Sequence, residues 1–399
     1  MHGNFTYHNP TRLHFGEDAM NYLADELKAY GPTVMLSYGS GSIKRNGVYD
    51  AVLAALREAG KTVVEDPGVM PNPTYEKVLE GCALVRDHKV DLILAVGGGS
   101  TIDYAKAVSA SAFCDGDAWE RYWVGQKEPT CPTVPVGAVL TMVGTGSEMN
   151  GGSVITNRHV TEREGNERIV TGFKRGKVFG PALYPRFTIL NPRFTMTVPQ
   201  YQMVAGFFDI MSHLMEQYFA GTADCTTDYI NEGLMRSLVH SSRIAARNPQ
   251  DYEARANIMW TATWALNTLL KCGKGGDWEV HQIGHAIGLV TDATHGMTLA
   301  TVSLPYYRRV MRDGLHQFVR FAQNVWGVRP EGKSDVEVAE EGLRCLEAWM
   351  REIGVVMHSG ELGVTEGNLQ QVADAVLILP VGYRTLTRDE VVDILRESM

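Results

Sequence analysis

An α/β domain over residues 1–192 followed by an all-helical domain over residues 193–399 is the fold this sequence predicts, on three observations. Up to Leu190, short apolar strand signals alternate with helix signals, the pattern of crossover units and a largely parallel sheet. Three of those strands run into glycine-rich or hydroxyl-rich turns. After Asn191-Pro192 strand signals nearly vanish and long helical stretches take over. A chain of 399 residues also exceeds a comfortable single core, at roughly 150 residues per domain.

The elements follow in order. Phe5–His8 and Arg12–Phe15 predict a short hairpin around Asn9-Pro10, an edge that permits strand pairing in a homodimer. Glu17–Tyr30 reads as a helix ended by Gly31-Pro32, and Val34–Ser37 as a strand entering Tyr38-Gly39-Ser40-Gly41-Ser42. Val48–Ala59 is helical and stops at Gly60. Thr62–Glu65 is a strand, and Thr74 to about His88 a helix after the turn Pro71-Asn72-Pro73. Asp91–Val96 is an apolar strand meeting Gly97-Gly98-Gly99-Ser100 and a helix through Ala110. Val134–Leu140 and Phe187–Leu190 are further buried strands. In the second half, Thr197-Val-Pro-Gln200 predicts a capping box opening a helix from Pro199 to Phe219. Helical stretches follow at Ile230–Arg247, Tyr252–Lys271, Trp278–Leu289, Gly296–Arg312, Gly314–Trp326, Val336–Ile353, Glu366–Val376 and Arg388–Glu397.

Composition narrows the class. An apolar fraction of 44% and a charged fraction of 21% are ordinary for a soluble globular enzyme. A formal charge of −9 argues against nucleic acid as partner, because phosphate binding wants clustered Lys and Arg. The one basic knot, Lys174-Arg175-Gly176-Lys177, reads as a solvated loop. No run approaches the roughly 20 apolar residues that span a bilayer, and the start lacks the form of a signal peptide. The six cysteines are scattered with no C-x-x-C pair, so they read as reduced thiols in a cytoplasmic protein.

Chemistry concentrates in two helices. Asp209 and His213 stand four apart in FFDIMSHLMEQYF, and His281 and His285 four apart in HQIGHAIG, with His295 following in DATHG. Residues at i and i+4 share a helix face. The first of these helices is apolar almost all round, hence buried, and a buried carboxylate is costly unless it is paired or coordinates a cation. A lone Asp-x-x-x-His would favour the plain reading, an ion pair and a backbone hydrogen bond. The second histidine cluster shifts the balance to a metal such as Fe²⁺ or Zn²⁺. Asp209 and His213 with some of His281, His285 and His295 are the candidate ligands. HQIGH has Gln282 where a zinc protease carries its general base, which excludes that class.

On the other side, Gly39-Ser40-Gly41-Ser42 is a weak dinucleotide motif with Lys44 where a third glycine would stand. DLILAVGGGSTID is stronger: Gly97, Gly98 and Ser100 allow close backbone approach, and the following helix offers free N–H groups to a pyrophosphate. Asp103 lies in that helix's first turn. Thr141, Thr145 and Ser147 follow a third strand. Each alone is compatible with a plain turn; three such loops on one sheet resemble a Rossmann-like nucleotide crevice.

DLILAVGGGSTID, VLTMVGTGSEMN, FFDIMSHLMEQYF and HQIGHAIGLVTDATHG together resemble the iron-containing (group III) alcohol dehydrogenases, and TYHNPTRLHFG, YGSGSIKRNG, MPNP and YEARANIMWTATWALN resemble their butanol dehydrogenase and broad aldehyde reductase branch. The resemblance implies a nucleotide-binding domain, a helical metal domain and an active site in the cleft between them. It implies Asp209, His213, His281 and His295 as metal ligands and His285 as a non-ligand histidine near the nicotinamide. It places Gly97, Gly98 and Ser100 on the pyrophosphate, and Thr141, Thr145 and Ser147 on the nicotinamide and ribose side. NAD-preferring members often carry a carboxylate after the first strand; Gly39–Ser42 has none and Lys44 and Arg45 are near, so NADP(H) is expected over NAD(H).

Two features depart from the family pattern. Thr161–Tyr184 is longer and more basic than usual, with Arg168 a candidate replacement for a cofactor-facing lysine, and Asn191 replaces a common Asp before Pro192. The expected reaction is metal-assisted hydride transfer between short-chain primary alcohols or aldehydes and NADP(H), with His285, an imidazole titrating near about 6.5, relaying a proton and Phe207, Trp260, Trp264 and Trp278 available to line an apolar pocket. The rival readings are a lyase of the dehydroquinate-synthase type, whose phosphate-bearing substrate would demand inward Lys and Arg, and a non-catalytic relative that binds nucleotide or metal.

Overall fold

The structure is a computed structural model that describes residues 3–164, 168–221 and 224–399, with side chains for all of these except 162–164 and 168–170. The chain divides into two compact units: one comprises His8–Val160 and Gly172–Val198, the other Met1–Tyr7, Thr161–Thr171 and Pro199–Met399.

The first unit is built on six strands, β1 (Arg12–Phe15), β2 (Thr33–Tyr38), β3 (Thr62–Asp66), β4 (Leu92–Gly97), β5 (Val136–Leu140) and β8 (Phe187–Leu190), in the order β1-β8-β5-β4-β2-β3. Every pairing is parallel. Helices α1 (Leu23–Lys28), α2 (Ser42–Arg45), α3 (Val48–Glu58), α4 (Tyr75–His88) and α5 (Gly99–Ser111) connect them. Val34, Leu36, Leu92, Leu94, Val96, Phe187 and Ile189 form one core with Leu23, Leu27, Val52 and Leu56 of α1 and α3. Their intervening neighbours Met35, Ile93 and Ala95 are also fully buried. A strand covered on both faces reads as a continuous apolar run, which is why LILAV shows no alternation.

Strand order reverses between β2 and β4: from β2 the chain moves outward to β3, then returns across β2 to β4. The carboxyl ends of β2, β4 and β5 are thereby neighbours at a topological switch point, where open α/β sheets bind ligands. The three loops singled out from sequence all leave from these ends.

Three expectations are corrected. Phe5–His8 is not a strand, and Arg12–Phe15 pairs in parallel with β8 instead of forming a hairpin. Asn9 gives the reason: its Oδ1 accepts from Thr11 N and its Nδ2 donates to Met149 O, so the turn is tied to the body of the unit. Lys174–Lys177 is no loop; it lies in β7 (Arg168–Val178), which forms a two-stranded sheet with β6 (Gly152–Glu164), and Lys177 is buried against Glu128 at 2.7 Å. The side chain of Arg168 falls outside the described residues. Finally, Thr197 does not cap the next helix, which begins at Gln200 without a side-chain cap. Pro199 precedes it in an extended conformation, and the Thr197 hydroxyl accepts from Asn46 Nδ2 at 3.2 Å instead.

In the second unit the helices are α6 (Gln200–Tyr218), α7 (Thr226–Arg247), α8 (Tyr252–Ala265), α9 (Glu279–Thr291), α10 (His295–Val310), α11 (Leu315–Trp326), α12 (Asp335–Ile353), α13 (Leu369–Ala375) and α14 (Arg388–Ser398). Helix α6 is buried on all sides from Met203 to Tyr218 and packs against α7, α8, α9 and α10. That surround leaves no face for solvent, so its polar residues Asp209, Ser212, His213, Glu216 and Gln217 are buried with it. Among the described residues no helix is long and apolar enough to cross a membrane.

Candidate metal centre and nucleotide loops

Helix periodicity turns Asp209 and His213 to the same side of α6. Helices α9 and α10 are joined by only residues 292–294, Asp292 taking a left-handed conformation with φ 57°. This tight reversal sets His295, the first residue of α10, beside His281 and His285 of α9: ring centroids are 5.2 Å apart for His281–His295 and 5.2 Å for His285–His295.

The two clusters meet at one carboxylate oxygen. Asp209 Oδ1 lies 3.6 Å from His213 Nε2, 3.8 Å from His281 Nε2 and 3.6 Å from His295 Nε2. His213 Nε2 and His281 Nε2 are 3.1 Å apart. Ligands about 2.0–2.2 Å from a tetrahedral ion are separated by roughly 3.4 Å, so these spacings match atoms that share one cation. Asp209, His281 and His295 also offer three ligand atoms mutually within 4.8 Å. One carboxylate and three imidazoles are the donor chemistry of Fe²⁺ or Zn²⁺; the residues present fit such an ion.

The electrostatics point the same way. Burial by itself would push the pKa of His281 down, yet Glu216 and Asp209 outweigh it and raise it to about 9. Asp277 is pushed up to about 7 by burial with the negative charge of Glu216 adding to it. Burial raises Glu279 to about 8, with Asp277 and Glu216 contributing. The negative charge of Glu216 and Asp209 on either side of the His281 ring is one that a divalent cation would balance. The centre is deeply set except at His295, whose side chain is 23% exposed.

Around it, Trp278 stands against the imidazoles, its ring 5.5 Å from His281 and 6.2 Å from His213. It adopts a left-handed φ of 67°, a strained conformation for a bulky residue that persists only where its surroundings impose it. Of the other aromatics, Phe207 is fully buried, and Trp260 is 42% exposed and packs edge-on to Trp264. Glu216 was not singled out from sequence, although it sits seven residues after Asp209 and three after His213, on the same helix face. It accepts from His281 Nδ1 at 2.5 Å.

In the α/β unit the loops are close-packed. A Cβ on Gly97 would fall 2.3 Å from Thr101 Oγ1, and one on Gly99 2.1 Å from Thr145 Oγ1. Gly99 thus lets the β4 and β5 loops touch, and Gly97 lets Thr101 of α5 pack onto the end of β4. Gly98 caps α5 with no side chain on its first-turn amides, which leaves donors of the kind that bind a pyrophosphate. Gly41 has φ 111° and starts α2, turning Ser40 and Ser42 outward to exposed positions. Asp103 and Ser147 point inward: the Asp103 carboxylate accepts from Ser147 Oγ and from Val154 N at 2.9 Å. Lys106 Nζ joins them by donating to Ser147 Oγ at 2.8 Å. These two residues shape the Thr145–Ser147 loop from within, while Gly98, Ser100, Thr141 and Thr145 are partly exposed and Gly97 is buried.

Residues 10–192 match the iron-containing alcohol dehydrogenase family, and residues 203–399 match the C-terminal domain of the Fe-containing alcohol dehydrogenase family. The chain belongs to the iron-containing alcohol dehydrogenases. Within this family it is 38% identical to the probable NADH-dependent butanol dehydrogenase 1 of Bacillus subtilis, over 99% of this chain and 100% of the relative. It is 35% identical to the NADPH-dependent aldehyde reductase YqhD of Escherichia coli, over 90% of this chain and 89% of that protein. The solved structure of NADH-dependent butanol dehydrogenase A from Thermotoga maritima superposes with a TM-score of 0.90 at 34% identity, covering 99% of this chain and 98% of that one. The chain is accordingly an oxidoreductase of the alcohol dehydrogenase and aldehyde reductase type, with the iron-type, nicotinamide-dependent chemistry of its family.

Proposed function

We propose that the enzyme reduces short-chain aldehydes to primary alcohols with NADPH, reversibly, at a centre held by Asp209, His213, His281 and His295. The observation that carries this reading is the approach of three imidazole Nε2 atoms to within 3.6–3.8 Å of one carboxylate oxygen in a chain of this family. When bound, the cation supplies Lewis-acid polarisation of the substrate oxygen and the nicotinamide supplies the hydride.

The chain's own residues do the rest. Gly97, Gly98 and Ser100 at the start of α5 hold the pyrophosphate, and Thr141 and Thr145 the ribose and nicotinamide side, with Asp103 and Ser147 bracing that loop. Trp278, partly exposed beside the imidazoles, offers an apolar wall suited to an aliphatic substrate. His285, buried on α9 with its ring 5.9 Å from that of His281, relays the proton between the substrate oxygen and solvent. His285→Ala should keep its metal and lower kcat, with a flattened pH–rate profile; an unchanged profile removes the relay role.

Preference for the phosphorylated cofactor rests on the end of β2. Gly39–Ser42 carries no carboxylate to repel a 2′-phosphate, and the exposed Lys44 ammonium sits over the rings of Tyr38 at 5.0 Å and Tyr49 at 4.5 Å. The relatives divide, the Bacillus enzyme being named for NADH and YqhD for NADPH, so the test is direct. With butanal and either reduced cofactor, absorbance at 340 nm should fall in proportion to aldehyde consumed, with kcat/KM higher for NADPH. Lys44→Ala should lower the NADPH value about 10-fold, as loss of a phosphate-pairing charge worth roughly 1–2 kcal/mol would, and leave NADH unchanged. A higher kcat/KM with NADH overturns the preference; no aldehyde-dependent oxidation of either cofactor overturns the proposed reaction.

A further inference from the structure

We infer that Glu216 is the positioning residue of the metal centre: its carboxylate holds His281 in the one tautomer and rotation that directs Nε2 towards Asp209 and His213. The inference rests on the metal reading proposed above.

Three contacts define the grip. Glu216 Oε1 lies 2.5 Å from His281 Nδ1, and Oε2 accepts from the His281 backbone N–H at 3.1 Å. The same glutamate therefore anchors both the ring and the main chain of that residue. Ser212 Oγ, one turn earlier on α6, donates to Oε1 at 2.7 Å and fixes the carboxylate itself. Both Glu216 and Ser212 are fully buried, so no water competes for these bonds.

Glu216 is not a further ligand of the same ion. Asp209 Oδ1 faces the Nε2 atoms of three imidazoles, whereas Glu216 meets His281 at Nδ1, on the opposite edge of the ring. The imidazole stands between the two carboxylates. Since a carboxylate accepts only, Nδ1 must carry the proton and Nε2 is left with its lone pair for the cation. Without Glu216 the ring could flip or protonate at Nε2, and the centre would lose one of its four donors for part of the time.

The test uses the full chain, stripped by chelation and titrated with Co²⁺, whose visible absorption reports ligand geometry. Wild-type protein is expected to bind one Co²⁺ per chain. Glu216→Gln keeps the volume but places an amide N–H where an acceptor is needed, and should weaken Co²⁺ affinity by about 10–100-fold, the usual cost of losing such a partner, with a changed d–d spectrum. Ser212→Ala, which leaves the charge in place and removes only its brace, should give a smaller loss in the same direction and serves as the deciding variant if Glu216→Gln does not fold. Wild-type affinity and spectrum in the folded variants overturn the role of Glu216 while the metal reading stands. Failure of the wild-type chain to bind Co²⁺ overturns both.

Discussion

Asp209→Ala should leave the protein without its metal and lower turnover by at least about 10³-fold, because Lewis-acid stabilisation contributes several kcal/mol to the barrier. No other residue of the centre is equivalent. His213, His281 and His295 each approach Asp209 Oδ1 within 3.8 Å, and among the described residues Asp209 is the one anion that all three share. Removing it leaves imidazoles alone to hold a dication in a buried place. Nucleotide binding should be nearly unchanged, since the loops after β2, β4 and β5 take no part in the cluster. A thermal measurement separates loss of metal from loss of fold. A ligand present at about 1,000 times its Kd stabilises by about 4 kcal/mol, so wild-type Tm should rise on adding Fe²⁺ or Zn²⁺ and that of Asp209→Ala should not. Elemental analysis showing a full metal complement together with retained activity would refute the assignment of Asp209.

What could be read from the chain beforehand followed from local periodicity. The i, i+4 spacings of Asp209–His213 and His281–His285 placed these side chains on shared helix faces, and the apolar run 92–96 marked a strand buried on both sides. The elements that were missed depend on distant partners. Strand β1 is a parallel edge strand because its partner is β8, about 175 residues later; nothing local distinguishes that from a hairpin arm. Strands β6 and β7 carry Asn157, Arg158, His159, Lys174 and Arg175, so they lack the apolar alternation that announces a strand. Their pairing is expressed in contacts such as Thr161 Oγ1 to Thr171 Oγ1 at 3.2 Å. Thr197 had the spacing of a cap, yet a competing donor, Asn46, takes its hydroxyl. Asp103 had the position of a ligand-facing acid, yet Ser147, Val154 N and Lys106 draw it inward. Glu216 was legible in principle, as a buried carboxylate at i+3 from His213, but burial of α6 on every side made all its polar residues look alike.

Gly296→Ala is the other substitution with a large expected effect, and it acts without touching a ligand. A Cβ at Gly296 would lie 2.0 Å from the carbonyl oxygen of Ala205, 2.6 Å from its carbonyl carbon and 3.1 Å from its Cα. All three atoms are backbone of α6, so no rotamer change relieves the clash; the helices must part. Ala205 is one turn before Asp209, and Gly296 follows His295, so the α6–α10 separation at this point sets the 3.6 Å approach of His295 Nε2 to Asp209 Oδ1. Overpacking of this kind costs about 1–3 kcal/mol or more, and a displacement near 1 Å at a reacting centre lowers rates by about 10²-fold. The variant should therefore show both a lower Tm and weaker metal binding. Gly284→Ala makes the contrast: its nearest neighbour is the Cδ2 of Leu299 at 2.6 Å, a side chain that can rotate, and the loss should be smaller on both measures. Wild-type metal affinity in a folded Gly296→Ala protein would mean that the centre tolerates separation of α6 and α10, and that its geometry is set by the α6–α9 pair alone.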